Sequence, residues 1–463
     1  MSKITTIIFS KNRACQLELL LRSLNMPATI LFTHDIEFQE GYEKLMMMYP
    51  KFHFVKERNF KKQVIKLIGN SKYVMFLCDD DIMIEHFKED CSEFVEFKKN
   101  KDIVCLSLRI SPNYNRAPAL KNNTWKWKGE KKDWGYPMSV TSSIFRKKDI
   151  LPAIIKEKFK TPNGLEVKLR RNVPNRKLMM CFDSPKTINN LANRVQSKYP
   201  NRNNLGIPLS DLNERFLRGG RLSLSYIKEK AKKSKSCFLM VHYKWEGNWL
   251  SLYRKNVFSQ RGEDGVLQKI FKVLGVDKGW CVDVGAYGKI NSNTYNLMRK
   301  GWSGVFIEND KERVRQLKEM YPQKNARCLY GTVRPTGVKR LDNLLKKSSM
   351  PKNFELISID IDGNDYYIWK FLKEYIPQVV VIEFNSTFDF DDYLQPIDGE
   401  GGASLSKIVE LGKAKGYELI TTTDFNAFFV KKELFDKFGI ADNSTDKLFT
   451  KNKSLYGKTF RNN

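Results

Sequence analysis

Three consecutive carboxylates, Asp79-Asp80-Asp81, follow directly on the apolar run Tyr73-Val74-Met75-Phe76-Leu77-Cys78. Acidic groups at the end of a buried strand repel one another, and a divalent cation bridging them to a diphosphate would offset that cost. Such a cation, Mn2+ or Mg2+, neutralises charge on a departing nucleoside diphosphate as a Lewis acid. The alternative is that the triplet caps a helix beginning near Ile82, where the helix dipole favours anions. Glu166, in Asn163-Gly164-Leu165-Glu166, and Asp183, in Cys181-Phe182-Asp183-Ser184-Pro185, are candidates for a general base or an acceptor contact. Trp125, Trp127, Trp134 and Tyr136 cluster ahead of the strand-like stretch 139–145; they are either stacking faces for sugar rings, Trp134 among them, or core aromatics.

The second half carries a different chemistry. The run Trp280-Cys281-Val282-Asp283-Val284 breaks into a turn at Gly285-Ala286-Tyr287-Gly288, followed by the helix-capping residues Asn291, Ser292, Asn293 and Thr294. Strand, tight turn and helix start make the first unit of a nucleotide-binding sheet, and glycine lets a ligand approach the backbone. A second strand, Gly304 to Ile307, ends in Glu308, 23 positions after Gly285, where a carboxylate accepts the ribose hydroxyls of an adenosyl ligand. NAD is the competing ligand, but the turn lacks the full three-glycine fingerprint that cradles a pyrophosphate. Two later strand-like runs end in Asp360-Ile361-Asp362-Gly363-Asn364-Asp365 and in Glu383-Phe384-Asn385.

These groups need elements to hold them. A length of 463 residues calls for two or three domains, and 41% hydrophobic with 29% charged residues is a globular composition. Strand-like runs at Thr5 to Phe9, Thr29 to Phe32, Phe52 to Val55, Tyr73 to Cys78 and Ile103 to Leu108 alternate with helical stretches, which predicts a layered α/β sheet. Such sheets gather ligands at the carboxyl ends of their strands. The boundaries expected are a first domain over 1–225 with a basic extension, a lysine-rich linker over 226–250, and a second domain over 251–463.

The net charge of +29 suits nucleic acid, an anionic membrane or anionic small ligands, or reflects a lysine-loaded surface. It is densest between Leu165 and Lys235, with 17 basic against 5 acidic side chains. Eight scattered cysteines show no metal-knuckle or redox spacing and read as reduced. The opening apolar run is too short for a signal segment, and no stretch reaches the ~18 apolar residues of a membrane span, so a cytoplasmic protein is expected. The four histidines, His34, His53, His86 and His242, lie outside all these motifs.

The opening strand, the turn Ser10-Lys11-Asn12-Arg13 and the acidic triplet about 70 residues later resemble GT-A glycosyltransferases. That resemblance implies Asp79 and Asp81 as metal and diphosphate contacts, and Ser10, Asn12 and Arg13 as nucleotide contacts. The stretch from about 255 to 440, which opens on Ser259-Gln260-Arg261-Gly262-Glu263-Asp264-Gly265 and includes Gly401 to Ser404 and Gly416-Tyr417, resembles FkbM-like methyltransferases that use S-adenosylmethionine. It implies Asp283, Gly285, Asn293 and Glu308 in the cofactor site, with a departure at Gly288-Lys289, where the family implies an acidic residue before the glycine. Asp360, Asp362, Glu383 and Asn385 fall where metal-dependent O-methyltransferases hold magnesium; the alternative is that Asp360 and Glu383 orient the cofactor and cap loops, with Asp362 or Asp365 as base. The succession through Asn193-Arg194-Val195-Gln196 is similar to glycosyltransferase/methyltransferase proteins of large chlorella-type algal viruses, which would place the chain in host cytoplasm.

The fold expected is therefore α/β, a GT-A-like α/β/α domain followed by a Rossmann-like methyltransferase domain. The expected function is metal-dependent sugar transfer from a nucleotide sugar to a glycan acceptor, joined to O-methylation of a sugar hydroxyl. Two other classes compete: a methyltransferase with a non-catalytic glycan-binding module, and a nucleic-acid methyltransferase with a basic accessory domain. A clustered carboxylate site is of no use to an RNA-binding accessory domain, so no nucleic-acid partner is expected.

Overall fold

The computed structural model describes residues 4–192, 207–322, 325–388, 392–399 and 401–449; the Asn193 to Gln196 stretch lies outside them. The chain divides into two compact units, Met1–Lys244 and Trp245–Asn463.

The first unit is built on an eight-stranded sheet. In chain order its strands are β1 (Ile4–Lys11), β2 (Thr29–Thr33), β3 (His53–Lys56) and β4 (Tyr73–Cys78), then, past β5 (Asp81–Met83), β6 (Ile103–Ser107), β7 (Thr124–Lys126), β8 (Ser143–Arg146) and β9 (Leu178–Cys181). The spatial order is β3-β2-β1-β4-β8-β6-β9-β7. β1 to β4 run parallel, and β8 lies antiparallel between β4 and β6. The β-branched and aromatic runs seen in the sequence become these strands because both faces are covered: Ile7, Ile8, Val74, Met75, Phe76 and Leu77 are all fully buried. Each such side chain contributes roughly 1.5–3 kcal/mol by leaving water. Because β2 and β4 flank β1 on opposite sides, the chain reverses its winding there and opens a crevice at the strands' carboxyl ends.

A small second sheet joins β5, β10 (Thr187–Asn190) and β11 (Phe238–Leu239). This corrects two expectations. No helix begins at Ile82: Asp81 to Met83 is a strand paired with Thr187 to Asn189, so helix capping does not account for the acidic triplet. The region 226–250 is not a free linker either, since Leu224–Lys233 is helical and β11 pairs with β10.

The second unit is a seven-stranded sheet of β12 (Trp280–Val284), β13 (Ser303–Glu308), β14 (Ala326–Tyr330), β15 (Asn353–Ile359), β16 (Ile376–Glu383), β17 (Tyr417–Thr422) and β18 (Asn426–Lys431). Its order is β14-β13-β12-β15-β16-β18-β17, with β18 alone reversed against both neighbours. This is a Rossmann-like sheet whose winding reverses between β12 and β15, and its centre is largely apolar: Val282, Ile357, Ile359 and Val379 to Ile382 are fully buried.

The Ser259-to-Gly265 motif folds as a turn tied by one carboxylate. Asp264 Oδ2 accepts the N–H groups of Val257, Phe258 and Ser259 at 2.9, 2.6 and 2.7 Å. The carbonyl of Phe258 in turn accepts the N–H of Ser292, which ties this turn to the loop after β12. Asp264→Ala strands three N–H groups and is expected to cost about 3 kcal/mol or more, since hydrogen bonds to a charged group contribute about 1.5–3 kcal/mol each. Chemical denaturation of the variant checks this, and an unchanged midpoint would show that water replaces the carboxylate.

Candidate functional sites

In the first unit a cavity of about 1040 Å³ opens at the carboxyl ends of β1 to β4. Two of the three clustered carboxylates line it, Asp79 and Asp80. One guanidinium nitrogen of Arg13, Nη1, donates to both, at 3.1 Å to Asp79 and 3.0 Å to Asp80. Asp79 also accepts the N–H of Lys11 at 3.0 Å, and Asp80 accepts from Asn189 Nδ2 at 2.9 Å. Burial pushes the Asp79 carboxyl above its ordinary range, while Arg13 pulls it back and Asp80 adds to the push. Burial likewise opposes the charge on Arg13, but Asp79 and Asp80 outweigh it and hold the guanidinium cationic.

Asp81 behaves differently. Its place on β5 turns it into the protein, where it is fully buried, accepting from the N–H of Cys78 at 2.8 Å and from Asn189 at 3.2 Å. The cleft thus presents Asp79 with Asp80 rather than Asp79 with Asp81, a distinction of strand register that no spacing rule shows.

The remaining sequence candidates divide. Ser10 and Arg13 line the cleft; Ser10 Oγ lies 2.6 Å from the hydroxyl of Tyr42. Asn12 does not: with φ of 58° it sits in the left-handed region and its amide is bound to Asp35, donating at 2.6 Å and accepting the Asp35 N–H at 2.8 Å. It shapes the turn. Glu166 lines the cavity from the helix Pro162–Arg171, accepting from the Tyr136 hydroxyl at 2.6 Å and the Val140 N–H at 2.9 Å. Asp183 is exposed, holds Asn123 at 2.7 Å and is absent from the cleft lining. Trp134 is a core residue, 6% exposed and edge-on to Trp125 at 4.9 Å, because the short 132–135 turn folds it inward.

Sequence reasoning passed over Lys11, Arg109 and Asp133. Arg109, two residues past β6, is 5% exposed, donates to Asp133 at 2.8 Å and stands over the Phe238 ring. A basic residue ending an apolar strand was its one signal.

In the second unit a cavity of about 720 Å³ lies over the ends of β12, β13, β15 and β16. It is lined by Asp283, Gly285, Asn293, Glu308, Asp360, Asp362 and Glu383, so seven of the sequence candidates converge. Glu308 ends β13; its Oε1 accepts the N–H groups of Asn309 and Asp310 at 2.8 and 2.9 Å, and no described residue bonds its Oε2. Asn293 donates to Ser358 at 3.1 Å. Asp283 accepts from Thr294 at 2.5 Å; burial lifts its carboxyl to about 6, with the Thr294 and Ser292 hydroxyls working against the rise. Gly285 has φ of 87°, and a Cβ there would overlap the carbonyl oxygen of Asp360. Its requirement is therefore set by the next strand's backbone as well as by ligand approach.

Oxygens of Asp360, Asp362 and Glu383 lie within 4.8 Å of one another, the one such carboxylate group among the described residues. Asp362 is held at φ of 55°, and Asp365 fixes that turn by accepting the N–H groups of Ile361 and Gly363 at 2.8 and 2.9 Å. Asp365 is thereby spent on the backbone rather than poised as a base. Burial and mutual repulsion push the Asp360 and Glu383 carboxyls far upward. An all-oxygen set of this kind suits Mg2+ or Mn2+. Asn385 is outside the group: its amide donates to the Gly401 carbonyl and accepts from Thr387, closing a loop away from the cavity. None of the four histidines lines either cavity.

No family model matches the chain. It is 29% identical over 254 residues to the bifunctional glycosyltransferase pgtA of Dictyostelium discoideum, a match covering 43% of this chain and 33% of that protein. The chain thus spans about one third of the length of that relative. Among solved structures it is similar to TarS 1–349 of S. aureus, at 14% identity and TM-score 0.28 over 40% of this chain and 59% of that one. It is similar also to a TehB-like SAM-dependent methyltransferase of Corynebacterium glutamicum, at 14% identity and TM-score 0.24 over 35% and 85%. The fold assignment rests on the strand orders, not on these scores. No helix among the described residues is long and apolar enough to cross a membrane.

The carboxylate group sets a stability test. Glu383 is raised above its unfolded value, so its ionised form costs the fold stability; that cost is absent below the unfolded value, grows as pH climbs from there toward the raised pKa of about 9, and is complete above it. In chelator at pH 8, Glu383→Gln is expected to raise the melting midpoint, by about 2–4 °C for each kcal/mol relieved. The gain should fade toward pH 5. A lower midpoint at pH 8 would show that the three carboxylates do not strain the ligand-free fold.

Proposed function

We propose that the chain is a bifunctional enzyme of glycan synthesis, transferring a sugar from a nucleotide sugar in the Met1–Lys244 unit and methylating a sugar hydroxyl from S-adenosylmethionine in the Trp245–Asn463 unit. The observation that carries the reading is the second cavity. A glycine turn after β12, a carboxylate with an unbonded oxygen at the end of β13, and three converging carboxylates beyond β15 and β16 share one 720 Å³ space at the winding reversal. Glu308 is suited to accept the ribose diol of an adenosyl group, and its anchored Oε1 fixes the direction in which Oε2 receives it. Asn293 and Asp283 line the same cavity.

Asp360, Asp362 and Glu383 would hold a divalent cation, which lowers the pKa of a sugar hydroxyl bound beside it. The chain's own residues then align that hydroxyl with the methyl group for in-line displacement, and their packing keeps the reacting atoms at contact distance. Asp360 and Glu383 line the same cavity, and either, once ionised, would be a candidate to receive the proton the hydroxyl gives up.

In the first unit Asp79 and Asp80 face the cleft with Arg13 between them. With a cation there, the two carboxylates would hold it against the diphosphate, and the cationic Arg13 adds to neutralisation of the leaving group. Glu166, fixed by Tyr136 and Val140, would accept a proton from the acceptor hydroxyl. The relative named as a bifunctional glycosyltransferase supports this half of the reading.

S-adenosylmethionine at about 100 times its Kd should stabilise the chain by about 2.7 kcal/mol, seen as a rise in melting midpoint, and Glu308→Ala should remove the shift. No shift at any cofactor concentration would end the methyltransferase assignment. For the other half, manganese-dependent hydrolysis of a nucleotide sugar is expected, falling at least about 100-fold in Asp79→Ala and in Asp80→Ala. Equal rates with and without chelator across a broad donor panel would rule out the metal role.

A further inference from the structure

One end of the first unit's cleft has no part in sugar transfer as described above. Lys11, Leu31, Thr33, Glu57 and Phe60 line it where β1, β2 and β3 finish. Asp79 and Asp80 follow β4, on the other side of β1. A nucleoside diphosphate with its phosphates against those carboxylates therefore extends its base over the β1-β2-β3 half, the mononucleotide-binding half of such a sheet.

Glu57 comes immediately after β3 and is half-buried. Its N–H is used, donating to the Phe32 carbonyl at 2.7 Å. Its carboxylate takes no hydrogen bond from any described residue; burial raises its pKa and only the nearby positive charge of Lys11 works the other way. Half-buried Glu57 and exposed Lys11 line one cavity, and no described residue hydrogen-bonds to either side chain, so a negative and a positive group are both open to a ligand there. The carboxylate at the end of β2 is not available for that task, because Asp35 is held by Asn12.

We propose that Glu57 and Lys11 read the pairing edge of a guanine base, so that the donor is a guanosine diphosphate sugar; this rests on the donor-cleft reading of the first unit. Guanine presents the carbonyl O6 followed by two adjacent donors, N1–H and the N2 amine. A carboxylate accepts both donors in parallel while an ammonium donates to O6, which matches the Glu57 and Lys11 pair in number and sign. Uracil and thymine present a single N–H between two carbonyls, so a carboxylate there gains one bond and meets a carbonyl oxygen with its other atom. Adenine and cytosine place an unprotonated ring nitrogen where guanine has N1–H, which sets lone pair against lone pair. A half-buried charged group left in that state is what makes a polar site discriminate strongly.

The test is calorimetric titration of the full chain, with Mn2+ present, with GDP, IDP, UDP, dTDP, ADP and CDP. GDP is expected to bind at least about tenfold more tightly than the pyrimidine and adenine diphosphates, and about tenfold more tightly than IDP, which lacks only the N2 amine. In Glu57→Gln the GDP to IDP ratio should fall to about threefold or less, and an unchanged melting midpoint would confirm that the variant is folded; the wild-type GDP to IDP ratio decides the matter even if it is not. Equal binding of GDP and IDP, or a pyrimidine or adenine diphosphate that matches GDP, overturns the guanine assignment while leaving the donor cleft standing. Binding of none of the six overturns the donor cleft itself, and the guanine assignment with it.

Discussion

Carboxylates held at the carboxyl ends of buried parallel strands are the constraint around which each unit is arranged. Such groups are removed from water by the layers that cover the sheet, and they sit close enough to repel one another. The two units answer the problem differently. In the first, Arg13 enters between Asp79 and Asp80 and a single nitrogen serves both, while Asp81 is satisfied by backbone and by Asn189. In the second, no described cationic side chain forms an ion pair with Asp360, Asp362 or Glu383, and burial together with neighbouring carboxylates raises the pKa values of Asp360 and Glu383.

Backbone packing decides where these charges point. Gly285 lets the loop after β12 lie against the Asp360 carbonyl, and the left-handed Asp362 turns the following residues back over the cavity. Asp365 then ties that turn through two backbone N–H groups. Strain at Asp362 persists because its neighbours over-determine it, which is the usual setting for such strain near a functional site. In the first unit the equivalent work falls to the Asn12 and Asp35 pair, whose mutual hydrogen bonds fix the turn that delivers Arg13.

The second unit's site was largely legible in the sequence, and the first unit's was not. Gly285, Glu308, Asp360 and Glu383 each end a strand of plain apolar pattern, and strands of a parallel sheet bring their ends to one edge whatever the intervening helices do. Local reading sufficed. In the first unit the same rule located Asp79, but Asp183 and Trp134 depended on how irregular segments fold back, and their residue types fit a core or surface role as well as a site. Arg109 and Glu57 went unnoticed because a lone charged residue after a strand carries no signal until the neighbouring strands place it over a cleft.

By itself, then, the amino-acid order determined which segments become buried strands and that their ends carry acid and glycine, since burial and backbone freedom follow from side-chain type over a few residues. It did not determine which carboxylate of the triplet faces the cleft. That was decided by pairing of Asp81 to Met83 with Thr187 to Asn189, more than a hundred residues away. Asp79 and Asp80 form the turn between β4 and β5, so the pairing of β5 draws Asp81 inward and leaves the two turn residues facing the cleft. Only long-range pairing could make that choice, because nothing local distinguishes three identical side chains in a row.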